Sequence, residues 1–277
     1  MIKHNPLFNP IYSNMKEVIN LSIITIPTLI LGLYATINIF ANFDWLHLLY
    51  FISGYFFINV IGVTSGLHRY FSHKTYKISR WKERILLFAA VLSGQGSPVW
   101  WVALHRGYHH RSSDTEKDPH SPIYGFFHSF ILWMFRIKSD AIQFRYAVDL
   151  LRNKDVVWVS THYTKLWLIS NLLLLLISWE FFLYFSIMGA FITLLTYNLT
   201  NSLNHCKKLG YTNFDTKDNS VNIPWLFPLV LGECWHNNHH ARPGSSHFGS
   251  VVSGNWWELD PSNLFITFFQ DSPRTNK

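Results

Sequence analysis

Residues 85–104, ILLFAAVLSGQGSPVWWVAL, decide how this chain folds. The stretch is uncharged and matches in length the roughly 20 residues that a membrane-spanning helix needs. However, Ser93-Gly94-Gln95-Gly96-Ser97-Pro98 interrupts it in the middle. Its first half, 85–92, would reach only about 12 Å as a helix, against a hydrocarbon core of about 30 Å. Basic residues flank both ends, Arg84 and Arg106. The segment is therefore expected to dip into the interface and return to the side on which it started.

Working outward, residues 18–43 carry no charge, and 45–67 carry none beyond a proton on His47. Each is long enough to span, and they read as a hairpin joined by Asn42, Phe43 and Asp44. Residues 166–204 form a second apolar block, interrupted only by Glu180, that accommodates two spans with a tight turn around 179–186. The expected fold is an all-α membrane protein in a single domain over 1–277. Its four spans lie at about 20–42, 45–66, 166–182 and 186–204, with interfacial helices and a cytosolic histidine-rich cap. The shorter apolar runs 125–135 and 221–231, the latter broken by two prolines, read as interfacial.

Composition and charge agree. Charged residues make up 14% of the chain, against about 25% in soluble proteins. Two Lys or Arg precede the first span (Lys3, Lys16), fifteen lie from Arg69 to Lys165 and six from Lys207 to Lys277; the short connecting loops have none. With four spans all 23 fall on one side, which the positive-inside rule makes cytoplasmic, together with both termini. The formal charge of +7 thus needs no nucleic acid to explain it. Cys206 and Cys234 form no Cys-x-x-Cys pair, and no Gly-rich phosphate loop is present. No signal-peptide cleavage pattern precedes the first span, so it is expected to stay as an anchor.

Nine of the fifteen histidines fall into four groups. They are His68 and His73; His105, His109 and His110; His205; and His236, His239 and His240. An isolated histidine on an apolar face is ordinarily a core residue. Three at i, i+3 and i+4 are different, because burial without a shared partner would leave several ring nitrogens unsatisfied. With the topology above all four groups meet at one membrane surface. Were 85–104 a span, the second group would face the opposite side from the first. Nine imidazoles exceed the four to six ligands of one ion, so two metals are the economical reading. His105 and His109 share a face of a regular helix, whereas His68 and His73 diverge by roughly 140° and need not share an ion. Asn198, Asn201 and His205 add a polar stripe at i, i+3 and i+7, which serves either the site or helix packing in lipid. For His4, His47, His120, His128, His162 and His247, solvated or interfacial placement is the default.

The blocks 66–77 (GLHRYFSHKTYK), 104–120 (LHRGYHHRSSDTEKDPH), 201–205 (NSLNH), 232–240 (GECWHNNHH) and 255–261 (NWWELDP) resemble those of the membrane fatty-acyl desaturases of stearoyl-CoA, delta-9 type, in a short bacterial form. The likeness runs from about residue 40 to 265. It implies that the nine histidines hold two irons at the cytosolic surface, with Asn201 contacting a metal through water and no catalytic group beyond the metal centre. The second box departs from the His-x-x-His-His of animal relatives, since three residues separate His105 from His109. The wider membrane di-iron group, including alkane hydroxylases, carries either spacing.

The implied reaction removes two hydrogens from adjacent methylenes of a saturated acyl chain, acyl-CoA being favoured, with O2 as co-substrate. Such C–H bonds are not acidic, so the chemistry calls for a redox-active metal, which imidazole ligation suits. Asp114, Glu116, Asp118 and Glu233 are candidates to balance the charge and orient the rings; for at least half of them a solvated surface position is the simpler expectation. Trp100, Trp101, Trp256 and Trp257 would line an acyl tunnel or anchor the protein at the interface. No haem, flavin, nicotinamide or iron–sulfur signature is present, so electrons are expected from a separate protein such as a ferredoxin or a haem carrier. Two rival functions remain. A hydroxylase would share the boxes but leave a hydroxyl on the product. A metal transporter would place histidines along a path within the spans, where only His47 lies.

Overall fold

The computed structural model describes residues 21–271; Lys3, His4, Lys16 and the first residues of the expected first span lie outside it. Every described element is helical, apart from two isolated antiparallel bridges, Tyr211 to Asn222 and Asn222 to Trp235. Three helices are long and apolar enough to cross a membrane: α1 (Ile23–Ala41), α2 (Trp45–Ser72) and a later one, Phe181–Leu203. Between α2 and the last of these come α3 (Arg80–Leu92), α4 (Pro98–Leu104), α5 (Lys154–Thr161) and α6 (Tyr163–Ile177), so Phe181–Leu203 is α7. After α7 come α8 (His236–Ala241) and α9 (Pro261–Phe269), with single helical turns such as Phe227–Val230 and Ser250–Ser253 around them.

Local chemistry sets these boundaries. Asp44 ends the α1–α2 link by accepting the backbone N–H of Leu46 at 2.6 Å and of His47 at 3.4 Å, which caps α2. Residues 85–104 break where their sequence requires. Helix α3 stops at Leu92, Gly94 and Gly96 take positive φ (70° and 101°), and Pro98 opens α4. The turn in the second apolar block falls earlier than expected. Helix α6 ends at Ile177, Ser178 is extended, and the Ser178 hydroxyl accepts the Phe181 N–H at 3.1 Å, so the next helix is under way before Ser186. At 15 residues α6 is shorter than the other three.

The helices meet at small residues. A Cβ on Gly54 of α2 would stand 1.9 Å from the Phe185 carbonyl oxygen of α7, and one on Gly62 would stand 2.6 Å from the Ala89 carbonyl carbon of α3. Only hydrogen at these positions lets the backbones approach, as at helix crossings in lipid. The largest buried cluster joins Val63, Leu67 and Phe71 of α2 to Leu86, Leu87 and Ala90 of α3 and to α4. Large apolar side chains instead face outward on the other sides of the helices, among them Ile30, Ile37 and Phe40 on α1 and Leu172, Leu176 and Ile177 on α6. Such a band is what a lipid-facing surface requires.

Candidate metal centre

All four histidine groups arrive at one place. His68 and His73 lie at the end of α2, His105 follows α4, His205 follows α7, and α8 carries His236, His239 and His240. The nine sort into two sets of ring nitrogens, each within 4.8 Å. The first holds His68, His73, His105, His110 and His239; the second holds His109, His205, His236 and His240. The sets adjoin, because the rings of His110 and His240 stack with centroids 4.4 Å apart.

Widened helical turns explain this sorting. The second half of α2 bonds in i→i+5 fashion, and His73 N–H reaches the His68 carbonyl at 3.2 Å. In such a turn residues five apart face the same way, so His68 and His73 join one set although a regular helix would separate them. The turn His105–His109 is of the same kind, with the His110 N–H on the His105 carbonyl. His105 and His110, five apart, accordingly share the first set, while His109 belongs to the second. On α8 the three histidines do share a face, but it lies over both sets and divides them.

The nitrogens suit a metal. Four Nδ1 atoms meet carboxylates: His68 with Glu233 at 2.7 Å, His109 with Asp118 at 3.1 Å, His205 with Asp114 at 3.1 Å and His240 with Asp218 at 2.6 Å. A neutral ring that donates through Nδ1 has only a lone pair at Nε2. Across the nine rings the Nε2 atoms crowd together: His68 and His239 at 2.9 Å, His110 and His239 at 2.8 Å, His73 and His105 at 2.9 Å, His205 and His236 at 3.1 Å. The Nε2 atoms of His109 and His240 are buried with no partner among the described residues. Two imidazoles about 2.1 Å from a shared ion and at right angles would set their nitrogens about 3.0 Å apart. The donor set therefore fits metal ions, and it favours softer transition metals over calcium or magnesium.

Burial favours the neutral form of most of these rings, as ligation requires. It drives His105, His109, His110, His236 and His239 well below the ordinary histidine range, and His73 to about 2, helped by the neighbouring imidazoles. Glu233 is fully buried too, yet His68 and Arg69 outweigh that burial and hold its carboxyl below the usual range.

Several sequence expectations change here. Asp114, Asp118 and Glu233 all touch histidines, more of the four acids than expected, whereas Glu116 is exposed. Asp218 had no signal in the sequence, since it lies in an irregular loop far from every box. His120 and His128 are buried rather than solvated: His120 Nδ1 stands 3.0 Å from Asp118, and His128 Nε2–H donates to the Pro119 carbonyl at 2.8 Å. His47 stacks on Tyr184 at 4.2 Å. Asn201 is buried one turn before His205.

Beside the first set opens a cavity of about 610 Å³, within the usual range for small-ligand sites. Trp100, Trp101, Leu194 and Tyr197 line it, and His105 and Asn201 form its wall at the metal side. Trp256 and Trp257 take no part in it and are largely exposed.

The family model for fatty acid desaturases matches residues 43–250. The chain is 34% identical over 241 residues to the sn-1 stearoyl-lipid 9-desaturase of Anabaena variabilis, covering 83% of each. It is 32% identical over 235 residues to the sn-2 palmitoyl-lipid 9-desaturase of a Nostoc species, covering 82% of this chain and 80% of the relative. To Delta-9 acyl-lipid desaturase 2 of Arabidopsis thaliana it is 32% identical over 225 residues, or 78% and 69% of the two chains.

Proposed function

Because this chain belongs to the fatty acid desaturase family, we propose that it inserts a double bond at the delta-9 position of a saturated acyl chain, using O2 and two irons held by the two histidine sets. Electrons come from a separate donor protein such as a ferredoxin or a haem carrier. The sequence alone favoured acyl-CoA as substrate. The relatives named above are acyl-lipid desaturases, and the reading adopted is an acyl chain carried on a glycerolipid. The observation that carries the proposal is the pair of adjacent imidazole sets, the first of which reaches the wall of a largely apolar cavity through His105.

Iron bound there supplies the oxidising power that non-acidic C–H bonds demand. The protein's own part is placement. Trp101, stacked on His105 at 5.1 Å, and Tyr197, 5.5 Å from Trp101, bound the cavity where it meets the first set. They hold one stretch of methylenes against the metal side, and the apolar walls exclude water from it. Asn201, which lines the cavity one turn before His205, orients a water at the second set. In the membrane, α6 serves as the fourth span with its outward leucines in lipid. The nine histidines and both termini then lie at the cytoplasmic surface with the basic residues.

Expression in a host lacking unsaturated fatty acids, followed by mass spectrometry of its glycerolipids, tests this. The expected product has a double bond at carbon 9 and is absent with His239→Ala. A new hydroxyl instead would move the chain to the hydroxylases. No product, despite iron and a competent reductant, would contradict the proposal.

A further inference from the structure

Arg69 is the most deeply buried cation in the described residues, with a side chain that is 0% exposed. A buried guanidinium is tolerated only when its donors are met, and here they are met by three segments. Its Nε and Nη2 donate to Glu233 Oε1 at 3.2 and 2.8 Å, and Nη1 donates to Asp260 Oδ2 at 2.8 Å and to the Ser246 carbonyl at 2.7 Å. The other Glu233 oxygen holds His68 Nδ1 at 2.7 Å. The guanidinium also lies 3.9 Å over the Phe248 ring, and that ring packs on His239 with centroids 4.2 Å apart. Asp260 fixes the same ring from behind, accepting the Phe248 N–H at 2.8 Å.

Arg69 therefore reaches two imidazoles of the first set by separate routes. One runs through a carboxylate to His68, the other through a stacked ring to His239, and these are the two rings whose Nε2 atoms stand 2.9 Å apart. Among the described residues, none of Arg69's contacts touches a histidine of the second set. We propose that Arg69, anchored by Asp260, is a positioning residue for the first metal site alone, fixing the orientation of both His68 and His239. The planar fork suits this task, since it holds a carboxylate by two donors while its face stacks on an aromatic ring.

This inference rests on the reading that the first histidine set binds a metal, and Co(II) titration separates the two. Metal-free full-length protein in detergent is titrated with Co(II) while its visible absorption is followed. The wild type is expected to take up two ions. With Arg69→Gln one ion should bind as before and the other 10- to 100-fold more weakly, the range seen when a partner behind a ligand is lost. On a His205→Ala background, which impairs only the second set, the remaining ion should weaken by the same factor. Asp260→Asn, which touches no histidine, should act in the same direction by about tenfold. Two ions bound with wild-type affinity and spectrum in both variants would overturn the proposal and leave the metal reading intact. Equal weakening of both ions, or failure of both variants to fold, would assign Arg69 to general packing and overturn it as well. A wild type that binds no Co(II) would sink the metal reading itself, and this inference with it.

Discussion

Asp218 Oδ2 stands 2.6 Å from His240 Nδ1, which ties a loop with no recognisable motif to the last histidine of α8. The same carboxylate group receives the Ser220 N–H at 3.0 Å through its other oxygen, so both of its oxygens are fixed. Asp218→Ala should free the His240 ring to rotate and lower metal affinity at the second set by about 10- to 100-fold. Iron retention against a graded chelator would measure this, and unchanged retention would remove Asp218 from the site.

Asp149, which pairs with Arg106 and Lys74, supports a pH prediction. Its partial burial opposes the charge, but Arg106 and Lys74 outweigh that and hold its carboxyl near 2 instead of the ordinary 3.8. A carboxylate depressed on folding stabilises above its unfolded value and loses that contribution as pH falls through the folded one. Its contribution should thus be complete above about pH 4 and vanish toward pH 2, amounting to about 1 kcal/mol after solvent screening. Denaturant unfolding of Asp149→Asn should show a deficit at pH 6 that shrinks through pH 3 and closes toward pH 2. A deficit independent of pH would refute the assignment.

Gly54 tests the membrane packing. Its hydrogen faces the Phe185 carbonyl, and a methyl in its place would stand 1.9 Å from that oxygen. Gly54→Ala should force α2 and α7 apart and cost about 1–3 kcal/mol. Thermal unfolding in detergent reads the loss, and an unchanged midpoint would contradict this packing.

Leu194 tests the cavity. It lies in the cavity wall on α7, about three turns before His205. Leu194→Trp should shorten the acyl chains that are accepted, or abolish product, while leaving the iron content unchanged. Lipid mass spectrometry beside metal analysis separates this from misfolding, and an unaltered product profile would show that the cavity does not hold the chain.

Three long apolar helices of the four spans expected, and the four histidine groups, were legible in the sequence because hydropathy and His spacing are local properties. The break at Ser93–Pro98 was equally plain, and it returns His105 to the side of His68. The division of the nine into five and four was not legible. It depends on i→i+5 turns at His68–His73 and His105–His110, and spacing rules drawn from a regular helix place those pairs the other way. Asp218 was hidden for another reason: it meets His240 through tertiary packing of irregular chain, where no periodicity operates. The turn at Ser178 came early because hydropathy alone cannot locate a break within a continuous apolar run.

The most direct test of the central claim is the number of irons each chain holds after anaerobic loading. Two per chain are expected in the wild type, falling to one with His205→Ala, which removes a nitrogen only from the second set, and to one with His73→Ala, which removes one only from the first. A wild type that holds a single iron, or variants that both keep two, would contradict the existence of two separate histidine-held sites.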